Sequence, residues 1–418
     1  MNLLDDLQWR GLLQDSTDLT ELRKLLDGGP TTFYVGFDPT GASLHIGHLV
    51  QVLTARRLQL AGHRPLLLVG GATGMIGDPR DVGERVLHST DVVAGWVANI
   101  RGQLSPFMSY DGDNAATLVN NLDWTGEVSA IDFLREVGKH FPVSRMLARE
   151  VVKARLESGI SFTEFSYQLL QANDFFQLHD RYGCQLQFGG SDQWGNITAG
   201  VDFVRRKGAG PVQAFTTPLV TKADGSKFGK SEGQAIWLDP KLTSPYEFYQ
   251  FWLNTDDRDV ARYLRYFSFR SQEELGELET AGAERPGARE AQRALAGELT
   301  TLVHGEAETV QVIAASQALF GRGSLSDLGS ATLRAALSEA GLVQINGAVP
   351  PAATLLKESG LVTSMNEARR AIAEGGAYVN NVRITDPESV VAAEELLHGK
   401  FLVVRRGKKT IAGVEVVA

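Results

Sequence analysis

The first half of the chain alternates short apolar runs with amphipathic stretches, which predicts strands and helices that follow one another. Residues 31–37 and 65–69 are predicted strands, and the second, continuously apolar, is typical of a strand buried on both faces. Helices are predicted over 3–26 and 46–61. This order predicts an α/β fold with a parallel sheet. A second α/β stretch comprises a helix over 165–181, a strand over 184–188 and a helix that opens at Asp192.

The pattern changes at residue 244, where Ser244 and Glu247 form a capping box with Pro245 at the first helical position. Amphipathic helices are predicted from there to about residue 320. Glycine and serine are then frequent, and two prolines stand at 350 and 351, which predicts a linker. We therefore predict four parts: an α/β domain over 1–232, a helical domain over 233–320, a linker over 321–350 and a small α+β module over 351–418.

Composition and charge narrow the class of protein. The chain has 418 residues, a formal net charge of −9 and 43% hydrophobic residues, which is ordinary for a globular protein. Its single cysteine, Cys184, excludes an intrachain disulfide, and its first residues lack the basic region of a signal peptide. We expect a cytoplasmic protein without a membrane span. Because the chain is acidic, it would need a locally basic face to bind nucleic acid.

The segment His45-Ile46-Gly47-His48 lies where the first predicted strand and its turn lead into a helix. Two imidazoles three residues apart share a face of the first helical turn, beside unpaired backbone N–H groups and the positive end of the helix dipole. Phosphate binds readily at such a place, and Gly47 lets a nucleotide approach the backbone. The spacing also suits surface or capping histidines, or a pair of metal ligands.

A second candidate runs from Asp224 to Ser231 with the sequence D-G-S-K-F-G-K-S, which looks at first like a Walker A loop. Three residues separate its glycines where that motif requires four, and the strand-like residues 235–238 follow where it requires a helix. What remains is a loop whose two lysines could neutralise charge developing on a leaving polyphosphate. An isolated segment of this kind is more often a solvated loop.

The helix predicted over 165–181 carries a polar stripe of Tyr167, Gln171 and Asp174, which lie within about 60° of one another around the helix axis. Apolar residues flank this stripe, so it suggests the lining of a cavity. A solvated helix face is the alternative.

Together, H-I-G-H and K-F-G-K-S, about 180 residues apart, resemble the paired signatures of class I aminoacyl-tRNA synthetases, and the resemblance covers the whole chain. Further segments are similar to bacterial tyrosyl-tRNA synthetases in particular. These are Tyr34 to Thr40, Gly74 to Pro79, Tyr167-x-x-x-Gln171-x-x-Asp174 and Gly189 to Asn196. The resemblance implies a Rossmann-like catalytic domain over 1–232, a tRNA (anticodon)-binding helical domain and a C-terminal RNA-binding module. It also implies a homodimer.

The activity implied by the resemblance is the activation of tyrosine with ATP to tyrosyl-adenylate, followed by transfer of tyrosine to the 3′ end of its tRNA. Mg²⁺ would arrive with ATP. Catalytic roles are implied for His45, His48, Thr40, Lys227, Lys230 and Arg85. Tyrosine would be bound by Tyr34, Asp78, Tyr167, Gln171, Asp174 and Gln193. ATP and the adenylate would be bound by Gly36, Asp38, Gly47, Gly190, Asp192 and Ser231.

Two departures from the family pattern qualify these roles. Position 35 is often a cysteine that reaches the ribose, but Val35 has no side-chain donor. The loop from Arg80 to Arg85 lacks a lysine that relatives place beside the pyrophosphate, which leaves Arg85, helped by Arg80.

The last 68 residues supply the local basic patch that contact with RNA phosphates requires. Its predicted members are Arg369, Arg370, Arg405, Arg406, Lys408 and Lys409. Other hypotheses remain open at this point. Another H-x-G-H nucleotidylyltransferase would share the histidines but has no use for the helical domain and basic tail. A tryptophan-specific relative and an RNA-binding protein on a synthetase scaffold are further alternatives.

Overall fold

The structure is a computed structural model, and it describes residues 2–79, 83, 87–224, 228–231, 234–407 and 410–417, with backbone alone for 230, 231 and 234. The helices before the D-G-S-K-F-G-K-S segment are α1 Leu3–Arg10, α2 Leu19–Asp27, α3 Leu49–Leu60, α4 Thr73–Ile76, α5 Thr90–Leu104, α6 Leu122–Thr125, α7 Ala130–Glu136, α8 Val143–Leu147, α9 Glu150–Arg155, α10 Phe162–Tyr182 and α11 Trp194–Arg206. Those after it are α12 Pro245–Leu253, α13 Asp257–Phe267, α14 Gln272–Glu284, α15 Glu290–His304, α16 Glu306–Ala318, α17 Ser330–Glu339, α18 Ala352–Glu358 and α19 Met365–Ala373.

In the part of the chain that the structure describes, the strands form three sheets. The first contains β1 Thr32–Phe37, β2 Arg64–Val69, β3 Thr117–Asn120, β4 Leu186–Gly190 and β5 Gln213–Thr217. A two-stranded ribbon contains β6 Lys230–Ser231 and β7 Gln234–Ala235. The third sheet contains β8 Leu342–Asn346, β9 Ala377–Val379, β10 Val382–Arg383, β11 Phe401–Arg406 and β12 Thr410–Val417.

The first sheet is parallel throughout, in the order β3-β2-β1-β4-β5. All five residues of β4 and the last five of β2 are buried, as expected for central strands covered on both faces. The order reverses direction between β1 and β4, and ligands of such sheets bind at this switch point, beyond the carboxyl ends of the strands. The predicted parallel α/β sheet is confirmed.

The predicted opening helix over 3–26 is wrong in its extent, because two helices, α1 and α2, share this stretch. Gly11 ends α1 in the left-handed conformation, with φ 75° and backbone bonds back to Gln8 and Leu7. The chain between the helices then runs beside β5, where the Gln14 N–H donates to the Thr216 carbonyl. Apolar spacing alone did not reveal this interruption.

The chain divides into two compact units. One comprises residues 1–239 and 256–279, and the other comprises 240–255 and 280–418. The predicted boundary at 232 therefore differs from the observed grouping, since α13 belongs with the parallel sheet. Two buried arginines explain this: Arg10 and Arg57 both donate hydrogen bonds to the carbonyl oxygen of Ser268, just beyond α13. The division into four parts remains a prediction.

In the second unit, helices α12 and α15–α17 pack together, and the third sheet has the order β10-β9-β11-β12-β8. The segment 321–350, for which we predicted a linker, instead contains α17 and β8, and β8 pairs in parallel with β12. Its glycines and prolines mark the ends of these elements rather than an unstructured connection. The segment 351–418, predicted as a small α+β module, contains the helices α18 and α19 together with strands of the third sheet.

Candidate active site

A cavity of about 570 Å³ lies at the switch point of the parallel sheet, within the first unit. It is lined by residues that directly follow β1 and β4 and by one face of α10. It brings together most of the predicted site residues: Tyr34, Gly36, Asp38, Thr40, His45, Gly47, His48, Asp78, Tyr167, Gln171, Asp174, Gly190, Asp192 and Gln193. Val35 is instead buried in the sheet, with 1% of its surface exposed.

The inner end of the cavity is built around the carboxylate of Asp174, which is buried. Trp124 donates its indole N–H to Oδ1 at 2.8 Å, and Asn121 donates its amide to Oδ2 at 2.9 Å. Burial raises the pKa of Asp174 to about 7, against the opposing effect of these two hydrogen bonds. A carboxylate held in this way keeps further lone pairs for a hydroxyl donor.

Tyr34 lies beside this carboxylate and is 2% exposed, yet its hydroxyl has no hydrogen-bond partner among the described residues. Burial, and then the negative charge of Asp174, raise the pKa of Tyr34, so the hydroxyl stays protonated. Its ring packs against Phe175 with centroids 5.4 Å apart. A buried hydroxyl without a partner costs about 1–3 kcal/mol, which a polar ligand group would recover.

A second cluster of polar groups surrounds Asp78. Its carboxylate accepts hydrogen bonds from the amides of Gln193 at 2.9 Å and Asn196 at 3.1 Å, and Asn196 also donates to the Gln193 oxygen. Burial raises the pKa of Asp78, and Arg149, which also lines the cavity, opposes that effect. The side-chain oxygens of Gln171 and Gln187, buried in the same cavity, have no partner among the residues described.

Asp38 links Tyr167 to the cluster around Asp174. One carboxylate oxygen accepts from the Tyr167 hydroxyl at 2.6 Å, and the other accepts from the Thr73 hydroxyl at 2.6 Å. Thr73 in turn accepts from Asn121, which contacts Asp174. This hydrogen-bonded chain orients Tyr167 so that its oxygen lone pairs, rather than its proton, face the cavity.

The histidine motif forms a reciprocal cap at the start of a 3₁₀ turn, Ile46–His48, that leads into α3. The backbone N–H of Gly47 donates to His45 Nδ1, and that of His45 donates to His48 Nδ1. Because both Nδ1 atoms accept, each neutral ring carries its proton on Nε2. Burial lowers the pKa of His45, and it lowers that of His48 to about 3. A side chain on Gly47 would collide with the His45 ring, at 2.7 Å.

The second motif lies against the first. The Ile46 N–H donates to the Ile236 carbonyl, and the Ile236 N–H donates to the carbonyl of Gly229, which has φ 83°. Lys230 and Ser231 lie in β6, with only their backbone described, while Lys227, Arg80 and Arg85 lie outside the described residues. Within the described ranges, no group of three or more His, Cys, Asp or Glu side chains is arranged to hold a metal ion.

The basic residues of the C-terminal module do not share one environment. Arg369 and Arg370 are exposed on α19, and Arg406 is half-buried and paired with Glu367 at 2.8 Å. Arg405 is only 8% exposed, and its guanidinium lies over the Tyr378 ring. This packing removes Arg405 from the predicted RNA face. Lys408 and Lys409 lie outside the described residues.

Several residues that build the cavity received no predicted role from the sequence. Those are Thr73, Asn121, Trp124, Arg149, Gln187 and Asn196. Asn121 follows β3 directly, so the rule that ligands bind beyond the carboxyl ends of parallel strands could have found it. That strand is only four residues long and was not recognised.

Comparison with known proteins now decides the family. Residues 26–321 match the model of tRNA synthetases class I (W and Y), and residues 334–412 match the tyrosine–tRNA ligase SYY-like C-terminal domain. A tyrosine–tRNA ligase of Streptomyces coelicolor is 62% identical over 419 residues, with 99% of each chain covered. The chain belongs to the tyrosine–tRNA ligases of class I. The relative from Corynebacterium glutamicum, also named a tyrosine–tRNA ligase, is 57% identical over the full length of both chains.

Solved structures agree with this membership of the tyrosine–tRNA ligase family. A C-terminally truncated mitochondrial tyrosyl-tRNA synthetase of Aspergillus nidulans is 33% identical, covers 74% of this chain and 92% of its own, and has a TM-score of 0.68. The predicted fold class and the predicted family resemblance are confirmed. The two matched regions together include the helical part and the C-terminal module. Another H-x-G-H nucleotidylyltransferase would have no use for these two parts.

Proposed function

We propose that the cavity of this tyrosine–tRNA ligase binds the side chain of tyrosine with its phenol between Tyr34 and Asp174. The observation that carries this assignment is the buried Tyr34 hydroxyl, which lacks a partner and lies beside a buried carboxylate. A phenol hydroxyl can donate to Asp174 while it accepts from Tyr34. Phenylalanine entering the same place would leave both groups buried and unpaired, which is costly.

The ammonium group of tyrosine is assigned to Asp78, Tyr167 and Gln171. Asp78 supplies charge, while Tyr167, whose hydroxyl donates its hydrogen bond to Asp38, presents an oxygen acceptor. The buried Gln171 oxygen without a partner supplies a third acceptor. Three acceptors match the three donors of an ammonium group. Gln193, held by Asn196 and Asp78, is assigned to the substrate carboxyl group and the adenylate.

ATP is assigned to the outer part of the cavity. The Nε2–H groups of His45 and His48 would donate to phosphate oxygens, and Thr40 lines the same region. Lys227, Lys230 and Arg85 would neutralise the leaving pyrophosphate, and Mg²⁺ would enter with ATP as part of the substrate. Asp192, exposed after β4, is assigned to the ribose. The remaining predicted contacts of ATP or the adenylate are Gly36, Gly47, Gly190 and Ser231. Asp38 would act through Tyr167.

The chemistry needs no nucleophile from the enzyme. The tyrosine carboxylate attacks the α-phosphorus of ATP, the bond to pyrophosphate breaks, and the mixed anhydride tyrosyl-adenylate forms. A hydroxyl of the terminal ribose of tRNA then attacks the tyrosyl carbonyl and releases AMP. Catalysis is therefore positioning together with stabilisation of charge that develops on phosphate oxygens.

Pyrophosphate exchange with each of the twenty amino acids tests this function. We expect exchange with tyrosine and little with tryptophan or phenylalanine. Exchange that is fastest with tryptophan would contradict the assignment of the cavity, and exchange with none would support an RNA-binding protein on a synthetase scaffold.

Replacing Tyr34 by phenylalanine should mainly erode the preference for tyrosine over phenylalanine. The change removes one neutral hydrogen bond, so we expect the ratio of kcat/KM values in pyrophosphate exchange to fall about fivefold. The hydroxyl is buried without a partner, so the variant should fold at least as stably as the parent. An unchanged ratio would mean that Tyr34 is only a core aromatic residue.

We further propose that α19 presents the RNA-binding face of the C-terminal module, because Arg369 and Arg370 are exposed there. Reversing both charges, with Arg369→Glu and Arg370→Glu, should raise KM for tRNA about tenfold and make it less sensitive to salt. Tyrosine-dependent pyrophosphate exchange should not change. Lys24→Glu, an equally exposed reversal in the first unit, is the control. Normal tRNA charging by the double variant would remove this face from the proposal.

A homodimer is proposed through the segment 128–162. Seven large apolar side chains within it are more than a third exposed: Val128, Ile131, Leu134, Val143, Leu147, Leu156 and Phe162. Exposed apolar patches of this kind mark protein interfaces. Phe162→Asp combined with Ile131→Asp should shift the protein from dimer to monomer in sedimentation velocity at micromolar concentration. Leu60→Asp, at a site 69% exposed elsewhere, should not. A monomeric parent protein would contradict the proposal outright.

The cytoplasm is the proposed location, since tRNA and ATP are both available there. Searching the described residues for a helix long and apolar enough to cross a membrane finds none.

A further inference from the structure

Helix α13 contacts both the helix that follows the histidine motif and the chain around the K-F-G-K-S motif. It packs on α3, the helix that follows the histidine motif, and Arg57 of α3 donates to carbonyl groups at the end of α13. Arg10 donates to the same region, to the carbonyl oxygens of Ser268 and Arg270. The carboxyl end of α13 is therefore fixed to the body of the first unit by two buried guanidinium groups.

The other contacts of α13 reach the chain just before the K-F-G-K-S motif. Buried Asp259 accepts the backbone N–H of Ala223 at 2.9 Å. The hydroxyl of Tyr263 donates to the carbonyl oxygen of Thr221 at 2.9 Å, and Arg262 donates to that oxygen at 2.7 Å and to Asp259 at 2.6 Å. Two backbone groups of the segment that enters the motif are thus bound to side chains of a single helix.

A third contact lies inside the motif itself. The ring of Phe228, which lines the cavity, stands edge-on to Tyr263 with centroids 5.1 Å apart, and it stacks on Phe267 at 5.9 Å. Side chains one turn apart on α13 therefore hold Phe228, and Tyr263 contacts the chain on both sides of the motif's first lysine. Asp259, Tyr263 and Phe267 recur at helical spacing and form one face of the helix.

We propose that Asp259 and Tyr263 are positioning residues that set where the K-F-G-K-S motif stands relative to the histidine motif. This inference rests on the proposed function, in which the lysines of the motif neutralise the leaving pyrophosphate. Charge stabilisation depends steeply on placement, because the stabilising groups must already be aimed where charge develops. Loosening the attachment of Thr221 and Ala223 should therefore slow the chemical step and leave tyrosine binding unchanged.

The test uses the full-length protein with the variants Tyr263→Phe and Asp259→Asn. Each removes part of the attachment with little change in volume. In single-turnover experiments we expect adenylate formation to slow about three- to tenfold, the effect of one lost hydrogen bond, with an unchanged dissociation constant for tyrosine. Arg265→Gln, also on α13, is the matched control, because its ion pair is with Glu279 of α14 and not with the chain beside the motif. Its rate should equal that of the parent.

A double-mutant cycle with Lys230→Ala separates positioning from a general structural role. If Tyr263 acts through the lysine loop, Tyr263→Phe should add little further loss in the Lys230→Ala background. Full additivity, unchanged rates for both positioning variants, or a loss of tyrosine affinity in step with a lowered Tm would overturn the inference while the proposed function stands. A normal rate for Lys230→Ala itself would overturn the proposed role of the motif, and this inference with it.

Discussion

Replacement of Asp174 by asparagine is expected to lower kcat/KM for tyrosine by about 10³-fold. The amide removes the charged acceptor for the phenol, and its NH₂ group must face a donor of either Asn121 or Trp124, which already point at the two carboxylate oxygens. Lost hydrogen bonds to a charged group cost about 1.5–3 kcal/mol each, and a stranded buried donor adds to that. Pyrophosphate exchange at varied tyrosine concentration measures the effect.

Asp180→Asn is the control for this variant, because Asp180 is exposed on the same helix. A fall in activity of less than tenfold for Asp174→Asn would show that the phenol is recognised elsewhere. The pH dependence offers a second measurement on the parent protein. With a pKa near 7 in the free protein, Asp174 is increasingly protonated as the pH falls below 7, so tyrosine affinity should weaken in that range. That slope should disappear in Asp174→Asn.

The raised pKa of Asp174 also makes the stability of the fold depend on pH. The folded protein binds a proton at Asp174 up to about pH 7, whereas the unfolded chain releases it near pH 4. Over this window the folded state holds more protons, so the contribution of Asp174 to the free energy of unfolding falls as the pH rises.

Replacement of His48 by alanine should slow adenylate formation about 10²-fold while tyrosine still binds normally. The imidazole contributes a neutral Nε2–H donor to a phosphate oxygen, and the loss of one donor aimed at developing charge has about this effect. Its pKa of about 3 means that it stays neutral at any ordinary assay pH. The rate should therefore show no inflection near pH 6.5 that depends on His48.

His45→Ala should behave similarly, and each variant also removes one hydrogen bond of the cap, because His45 accepts the Gly47 N–H and His48 accepts the His45 N–H. His88→Ala, at an exposed histidine outside the cavity, serves as the control. A weaker affinity for tyrosine with an unchanged rate of activation would contradict the phosphate role of both histidines.

The sequence was sufficient for the parts of the site that lie in local motifs. The histidine motif, the residues after β1 and β4, and the polar stripe on α10 all reach one cavity, because strand ends and helix faces are readable from periodicity. The roles of these residues remain predictions.

What the sequence did not reveal depends on contacts between distant segments. Asn121 follows a short strand, and Trp124 lies in a one-turn helix. The weak local signals of these elements gave no reason to place either residue beside Asp174, about fifty residues later. Arg405 shows the opposite error. In a run of basic residues it resembled a phosphate contact, but β11 is a buried strand in which Arg405 lies opposite Tyr378 of β9 and packs on its ring.

During synthesis, α13 is made after all the strands of the parallel sheet with which it is grouped. All five strands of the parallel sheet precede residue 218, but the first unit lacks its last helices until residue 279 has been synthesised. At bacterial elongation rates of about 5–20 residues per second, the 40 residues after 239 take about 2–8 s. Until Ser268 has been synthesised within that interval, Arg10 and Arg57 lack its carbonyl oxygen as a partner, and the α3 surface that α13 covers stays open to water. A nascent chain stalled there would expose this unfinished face to chaperones and proteases.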